Sequence, residues 1–600
     1  MRRSDGRLNT PAWLGANFWS RTGGPMMWRD YDPAVIDDEL AVLRAHGLNV
    51  TRSFFCWSDF HPEPDRLDET MIHRYEDFLD RHTDLGLATV PTFLVGRLSN
   101  GNWDPAWRGD RDLYRDVWLV ARQAWYVREL TARFADHPAV AGWLISDEMP
   151  LYGGKAPAEV VESWAQLMID AVRAGGGRQP VSLGDGAWGA AGPGGGYDLR
   201  RLSAMVDWTG PHTCGVEDDL LGPAFACELA RLGGQPVVLE EFGVCGADAA
   251  DHYRQVLHTT LLAGATGWLA RSNTDLDHLG ERRPLFEMHF GITTGDGKPK
   301  PQLLEMERFA DTLTEIDFDR CERLPVDAAL VVSSFLDTDY PFTAAADQSS
   351  VHRTLRQCYV AARQADLPLG FEHESDGIAE GYLLYLVPSV KQLTAPSWHR
   401  LAALAEQGAT VYVSYGSTRG PWLARPDEMF GVARRLRHDP LDRIPDGEVR
   451  FTFRSDFGSL RAGEELVLDT TGQSFLPVRP ISAEVVAVDA DGNPALLVQQ
   501  HGAGRLVLCT YPLEHMANAY RIYDALAEVA EVYRPMVVDD PRVTVDGLRH
   551  ADGQEWLCAV NLSPDRVEIC DGITLPPYGV EWIASRQVTA NPLPGSARPR

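Results

Sequence analysis

From Trp13 onward, short apolar runs alternate with longer segments whose apolar residues recur every three or four positions, the spacing of strands and of amphipathic helices. The pattern predicts strands near Trp13–Phe18, Leu48–Phe55, Leu87–Val95, Ala139–Ser146, Pro180–Leu183, Met205–Gly210, Pro236–Glu241 and Gly267–Ala270. The intervening helices carry their own punctuation. The first opens on Asp32 as N-cap with Pro33 behind it, sets Ile36, Leu40 and Leu43 on one face, and stops at Gly47. The second starts near Asp68, aligns Ile72, Tyr75, Phe78 and Leu79, and ends at Gly86. Further helices are predicted over Leu113–Ala135, Ala158–Arg173, Ala224–Leu232 and Tyr253–Ala263, and Gly96–Arg111 has loop composition. Eight strand–helix units in succession predict an α/β fold, a closed (β/α)8 TIM barrel of parallel strands, with an open doubly wound sheet as the alternative.

Beyond Phe290–Pro301, with its turn-rich Thr294-Gly295-Asp296-Gly297, the alternation restarts over Ala328–Ser333, Ser350–Gln364, Tyr382–Val387, Pro396–Gln407 and Thr410–Ser414. These predict a second, flavodoxin-like α/β domain with an open sheet and no GxGxxG or P-loop to hold a nucleotide. From about Met536 short alternating strands at Arg542–Val545, Glu555–Leu562 and Gly579–Ile583 predict a small β domain, and the Pro/Arg-rich tail after Asn591 is expected to fray. A chain of 600 residues is long enough for about three domains. The expected division is 1–320, 321–535 and 536–600.

A net charge of -29 argues against nucleic acid and anionic membrane as partners and suits a neutral substrate. No apolar run has the length of a signal or a membrane span, so a cytoplasmic protein is expected. The nine cysteines show no CxxC or paired framework and are read as reduced; a catalytic thiol at Cys214 or Cys245 is the minor alternative. Histidine spacing implies no metal, and no cofactor is expected.

Chemistry concentrates where two strands end in acids, Ser146-Asp147-Glu148-Met149-Pro150 and Leu239-Glu240-Glu241-Phe242-Gly243. In such a barrel the strand C-termini build the active site, so strands four and seven would face each other across its mouth. A carboxylate pair across a cleft is what glycosidic bond cleavage needs, one protonating the leaving oxygen and the other attacking or activating water. Paired acids at strand ends also cap helices or bridge to loop arginines, which is the competing interpretation. Strand parity leaves Glu240 and Glu241 equivalent candidates, because adjacent side chains point to opposite faces.

Gly15-Ala16-Asn17-Phe18-Trp19, Asn49-Val50-Thr51-Arg52, Gly142–Pro150 and Val238–Gly243 together resemble the retaining glycosidases of family 5. The three-domain order is similar to family 42 β-galactosidases and to a branch of family 5 exo-β-mannosidases whose second domain helps to build oligomers. The resemblance implies Glu148 as general acid/base and Glu241, by its Glu-Phe-Gly match, as nucleophile. It implies Arg52 as a hydrogen-bond partner of the nucleophile, His212 as the strand-six histidine, and a homo-oligomer, trimer or dimer. Asp147 stands where an asparagine is usual, Cys214 where a tyrosine is, and Arg271 about where a platform tryptophan is. Trp19, Trp57, Trp103, Trp107 and Trp268 are further candidate substrate contacts, each of which core or loop packing would also explain. The expected activity is release of terminal β-linked sugars, β-mannoside first, from short oligosaccharides. The alternatives are β-galactosidase, β-glucosidase or endo-β-mannanase action on the same site, and a non-catalytic carbohydrate-binding protein on the same barrel.

Overall fold

The computed structural model describes residues 11–98, 101–186, 196–214, 219–276, 288–338, 345–388, 393–415, 429–434, 446–471, 475–570 and 572–584. The tail beyond Asn591 lies outside them. The chain divides into two compact units, one of residues 1–322 with 550–553, the other of residues 323–549 with 554–600.

The first unit is a ring of eight parallel strands: β1 (Trp13–Asn17), β2 (Val50–Cys56), β3 (Ala88–Val95), β4 (Trp143–Ser146), β5 (Val181–Ser182), β6 (His212–Cys214), β7 (Val237–Gly243) and β8 (Ala265–Ala270). They pair in the order β5-β4-β3-β2-β1-β8-β7-β6. A parallel bridge between Gly186 and Pro211, with the His212 N–H donating to the Gly186 carbonyl, joins β5 to β6 and completes the ring. The sixth strand begins later than the predicted Met205–Gly210. Asp207 and Thr209 do bond to the neighbouring strands, but Pro211 has no N–H to donate, and the regular ladder resumes only at His212.

Helices α1 (Pro33–Ala45), α2 (Glu69–Leu85), α3 (Val117–Phe134), α4 (Ala158–Ala174), α5 (Gly222–Arg231), α6 (Ala249–Leu262) and α7 (Pro301–Glu315) surround the strands. The Asp32 carboxylate accepts from the N–H groups of Ala34 and Val35, and Asp68 from those of Thr70 and Met71, satisfying donors that the first helical turn leaves open. Gly86 closes α2 in the left-handed conformation at φ 66°, where a Cβ would clash with its own backbone. Inside the barrel Trp13, Val50, Val90, Leu144, Trp208, Val238 and Leu269 form one buried cluster beneath the mouth. Burial at these alternate positions fixes which side chains of each strand point inward.

The second unit contains a nine-stranded sheet. β9 (Ala328–Val332), β10 (Gly370–His373), β11 (Leu384–Val387), β12 (Thr410–Ser414) and β17 (Gly504–Cys509) are parallel, in the order β10-β9-β11-β12-β17. The helices α8 (Ala345–Gln364) and α9 (Ala395–Glu406) belong to this half. The sheet then continues through β16 (Pro494–His501), β15 (Glu484–Val488), β13 (Asp446–Phe453) and β14 (Glu465–Thr471), all antiparallel. This antiparallel half is absent from the sequence reading. Three more antiparallel strands, β18 (Val543–His550), β19 (Glu555–Asn561) and β20 (Val580–Ala584), follow at the predicted places. Among the described residues no helix is long and apolar enough to cross a membrane.

Candidate active site

At the C-terminal end of β7 the chain breaks the strict alternation of strand side chains. Leu239 pairs with Trp268 and Phe242 with Ala270, so two residues, Glu240 and Glu241, lie opposite Leu269 alone. Such a bulge re-aims a side chain, and here it turns two consecutive carboxylates toward His212. Glu240 is 1% exposed. Its Oε1 accepts from Trp208 Nε1 at 2.7 Å, and a Cβ on Gly210 would come within 1.9 Å of its carboxyl carbon, so only glycine leaves it room. Glu241 lies in the cleft, with Oε1 3.2 Å from Arg271 Nε and accepting from the Cys214 thiol at 3.4 Å.

Across the ring, β4 ends in Ser146 and the chain turns sharply. Glu148 takes left-handed backbone angles, φ 47° and ψ 37°, unusual for a residue with a side chain. Its N–H donates to the Gly184 carbonyl, and Met149–Tyr152 forms one helical turn with Pro150 inside it. The turn projects the Glu148 carboxylate to His212, whose Nδ1 is 2.9 Å from Oε1. His212 stands between the two acids, and one ligating atom each of Glu148, His212 and Glu241 all lie within 4.8 Å of one another.

The electrostatics follow from this crowding. Burial alone would push the His212 imidazole toward neutrality. The contacts to Glu148 and Glu240 and the charge of Glu241 outweigh it and raise its pKa to about 10. At 3.7 Å the Glu240 contribution is electrostatic rather than a formed hydrogen bond. Burial would likewise raise Glu148, but the imidazolium, aided by Arg271 and Arg52, lowers it to about 2. Asp147 goes the other way. Burial, with Glu148 and Glu241 adding repulsion, outweighs Arg52 and lifts it to about 6. The Cys214 thiol is raised well above its usual value by burial and by Glu241, so it stays protonated and donates; this removes the case for a catalytic thiolate there. Three potential ligand atoms so close together could also hold a metal ion, which would have to displace the His212 proton to bind.

Arg52, fully buried on β2, donates to Asp147 at 2.5 Å and to Thr92 at 3.1 Å, and its guanidinium lies 4.8 Å over the Phe54 ring. It therefore bonds the residue before the proposed acid rather than the nucleophile. Among the described residues, the cationic partners of Glu241 within 4.0 Å are Arg271 and His212. Trp19 stacks on Phe54 at 4.3 Å, at the same end of the barrel. Trp57 is 1% exposed, with its indole N–H on His61 and its ring edge against Trp107, and serves as packing. Trp103, 5.8 Å from Arg29, and Trp107 are half-buried in the loop after β3. Trp268 is fully buried on the outer face of β8, hydrogen-bonded to Thr260 of α6 and packed on Phe309 of α7. It points away from the mouth, so the expectation that it contacts substrate is withdrawn.

Sequence reasoning missed Asn17, whose amide donates to the Glu240 and Ala270 carbonyls, and Trp208, which holds Glu240. Gly186 was missed too, although any Cβ there would fall 2.4 Å from His212 Nδ1. Only Asn17 carried a signal, its place within the strand-one motif Gly15-Ala16-Asn17-Phe18-Trp19.

No protein-family model and no curated protein matches the chain. Solved structures do. An exo-β-1,4-mannosidase, Op5Man5, from Opitutaceae bacterium strain TAV5 superposes with a TM-score of 0.72 at 20% identity, covering 88% of this chain and 98% of that one. A β-galactosidase from Rahnella sp. R3 gives 0.74 at 16% identity over 96% and 99%. GH5_18 from Streptomyces cattleya gives 0.54 at 20% identity over 62% and 98%. Likeness at such low identity is a statement about backbone: the chain shares the fold of the mannosidase over 88% of its length, of the β-galactosidase over 96% and of GH5_18 over 62%.

Proposed function

We propose that the chain is a retaining β-glycoside hydrolase that releases terminal β-linked sugars from short oligosaccharides. The observation that carries this is the approach of Glu148 and Glu241 across the barrel mouth, with His212 between them and one atom of each within 4.8 Å of the others. Retaining enzymes hold their carboxyl groups about 5 to 5.5 Å apart, whereas inverting enzymes need about 6.5 to 9.5 Å to admit a water. In the proposed reaction Glu241 attacks the anomeric carbon as the glycosidic bond breaks, and the leaving oxygen takes a proton from the Glu148–His212 pair. Glu148, then a base, removes a proton from the water that displaces the sugar from Glu241.

The sugar at the scissile bond is proposed to be β-mannose. Supporting this are the fold shared with the exo-β-1,4-mannosidase and with a GH5_18 enzyme solved with Manβ1-4GlcNAc. The second reading is β-galactoside, favoured by the match to the Rahnella β-galactosidase along nearly the whole of both chains. We further propose that residues 321–535 and 536–600 act as separate domains and that the former mediates oligomerisation, which light scattering tests.

Chromogenic β-mannoside, β-galactoside and β-glucoside substrates separate the readings. The expected result is turnover of the mannoside, loss of activity in Glu241→Ala and impairment in Glu148→Ala. Wild-type activity in Glu241→Ala refutes the assignment, and binding of sugars without any turnover points to a carbohydrate-binding protein.

A further inference from the structure

The charge arrangement around Glu241 departs from what the sequence resemblance implies. Arg52, the expected partner of the nucleophile, gives Nε to Thr92 and Nη2 to Asp147, and its buried Nη1 makes no hydrogen bond to the described residues, Glu241 included. The carboxylate at position 147 attracts it as an asparagine amide would not, because the pair is buried and oppositely charged. The cation beside Glu241 comes instead from the strand-eight end, where Arg271 occupies a position expected to hold a tryptophan. Three observations fix this arginine. Its backbone N–H donates to the Phe242 carbonyl, one residue beyond Glu241. Its guanidinium lies 4.5 Å over the ring of Phe290, itself 5% exposed. Its Nε reaches Glu241 Oε1 at 3.2 Å, the same oxygen that accepts from Cys214 at 3.4 Å.

We propose that Arg271 is the positioning residue for the nucleophile: it pins Oε1 of Glu241, leaving Oε2, the oxygen on the His212 side, as the attacking atom. Arg271 thus does the work that Arg52 gives up to Asp147, and Cys214 assists it as a neutral donor. The guanidinium is suited to this because it stays charged, and its planar face rests on an aromatic ring that limits its rotation. The inference rests on the glycosidase reading and deepens it.

The test isolates the nucleophile from the acid. Activated 2-deoxy-2-fluoro-β-glycosides of manno, galacto and gluco configuration carrying 2,4-dinitrophenolate transfer their sugar to the attacking carboxylate: the bond from Glu241 to the anomeric carbon forms, and 2,4-dinitrophenolate departs with its electron pair, needing no proton. The rate is followed by intact mass, and the labelled residue by peptide mapping, in wild type, Arg271→Gln and Arg271→Lys. Arg271→Gln is expected to label Glu241 about 100-fold more slowly, the usual cost of a misplaced reacting group. The reagent concentration for half-maximal rate should change less than about threefold, because orientation rather than binding is lost. Arg271→Lys should recover part of the rate, which loss of packing alone does not produce. Wild-type labelling rates in Arg271→Gln, or a lysine variant no better than the glutamine one, overturn the proposal. If wild type is neither labelled nor active on any of the three sugars, the glycosidase reading fails and this inference falls with it.

Discussion

His212 is where structure and mechanism meet most directly, and His212→Gln tests both. Its imidazole lies 2.9 Å from Glu148 and 3.7 Å from each of Glu240 and Glu241. Glu148 falls from an ordinary 4.5 to about 2 although burial raises it, so the cations around it, His212 first, outweigh desolvation by about 3 kcal/mol. The rise of His212 from 6.5 to about 10 is likewise the excess, about 5 kcal/mol, of its carboxylate neighbours over burial. Both are net figures, with Arg271 and Arg52 adding to the first and Glu240 and Glu241 to the second, so neither belongs to the Glu148–His212 contact alone. The pair holds one proton between them, resting on the imidazole in the free site, and loses it near pH 10. That loss sets the basic limb of kcat/KM. Replacing the histidine with glutamine keeps a polar side chain but removes the positive charge, so the acid's proton must sit on Glu148 alone. With the imidazolium gone, burial raises that proton's pKa against the opposing charges of Arg271 and Arg52, and the basic limb should fall by several pH units from its wild-type position. The assay is the pH dependence of kcat/KM on an aryl β-glycoside whose phenol is a poor leaving group, so that acid assistance is needed. Wild type should hold its rate well into alkaline pH, and the variant should be active only on the acid side. A basic limb within half a pH unit of wild type would refute the reasoning, because the proton would then come from elsewhere.

Three other substitutions probe the surroundings. Asp147→Ala leaves the Arg52 guanidinium buried without its carboxylate. The cost should be about 3 kcal/mol, the low end for breaking a buried pair, because Asp147 is itself held near 6 by burial and by its acidic neighbours; denaturant midpoints measure it. Gly186→Ala places a methyl 2.4 Å from His212 Nδ1 at a backbone φ of 57°. It should cost about 1 to 3 kcal/mol and lower kcat by about tenfold or more while the far-UV spectrum stays that of wild type. His82, fully buried, is held neutral with a pKa near 4, chiefly by burial. A depressed histidine contributes stability that is present above pH 6.5 and is lost as pH falls toward 4. His82→Gln should therefore narrow the difference between unfolding free energies at pH 7 and pH 4 by about 3 kcal/mol; an unchanged difference assigns acid lability to other groups.

The sequence by itself determined the ring of strands and most of its helices, because those depend on local periodicity, caps such as Asp32 and Asp68, and glycines such as Gly86 that end helices. It also marked the acids at the ends of β4 and β7, since their places follow from strand order alone. It read less of the second unit, where the antiparallel strands from Asp446 to His501 gave no signal that the sequence reading used. Tertiary structure decided what periodicity cannot express. Parity left Glu240 and Glu241 equivalent until the bulge opposite Leu269 turned both toward His212, one into a bond with Trp208 and the other into the cleft. The partner of Arg52 was decided by burial: Asp147, one residue before Glu148 in sequence, is the carboxylate that the turn at the end of β4 brings within reach. Trp268 and Arg271 sit three residues apart, yet one packs on α6 and α7 and the other reaches Glu241. Which face a side chain takes, and which charges share its space, depend on residues hundreds of positions away, and only the folded chain brings them together.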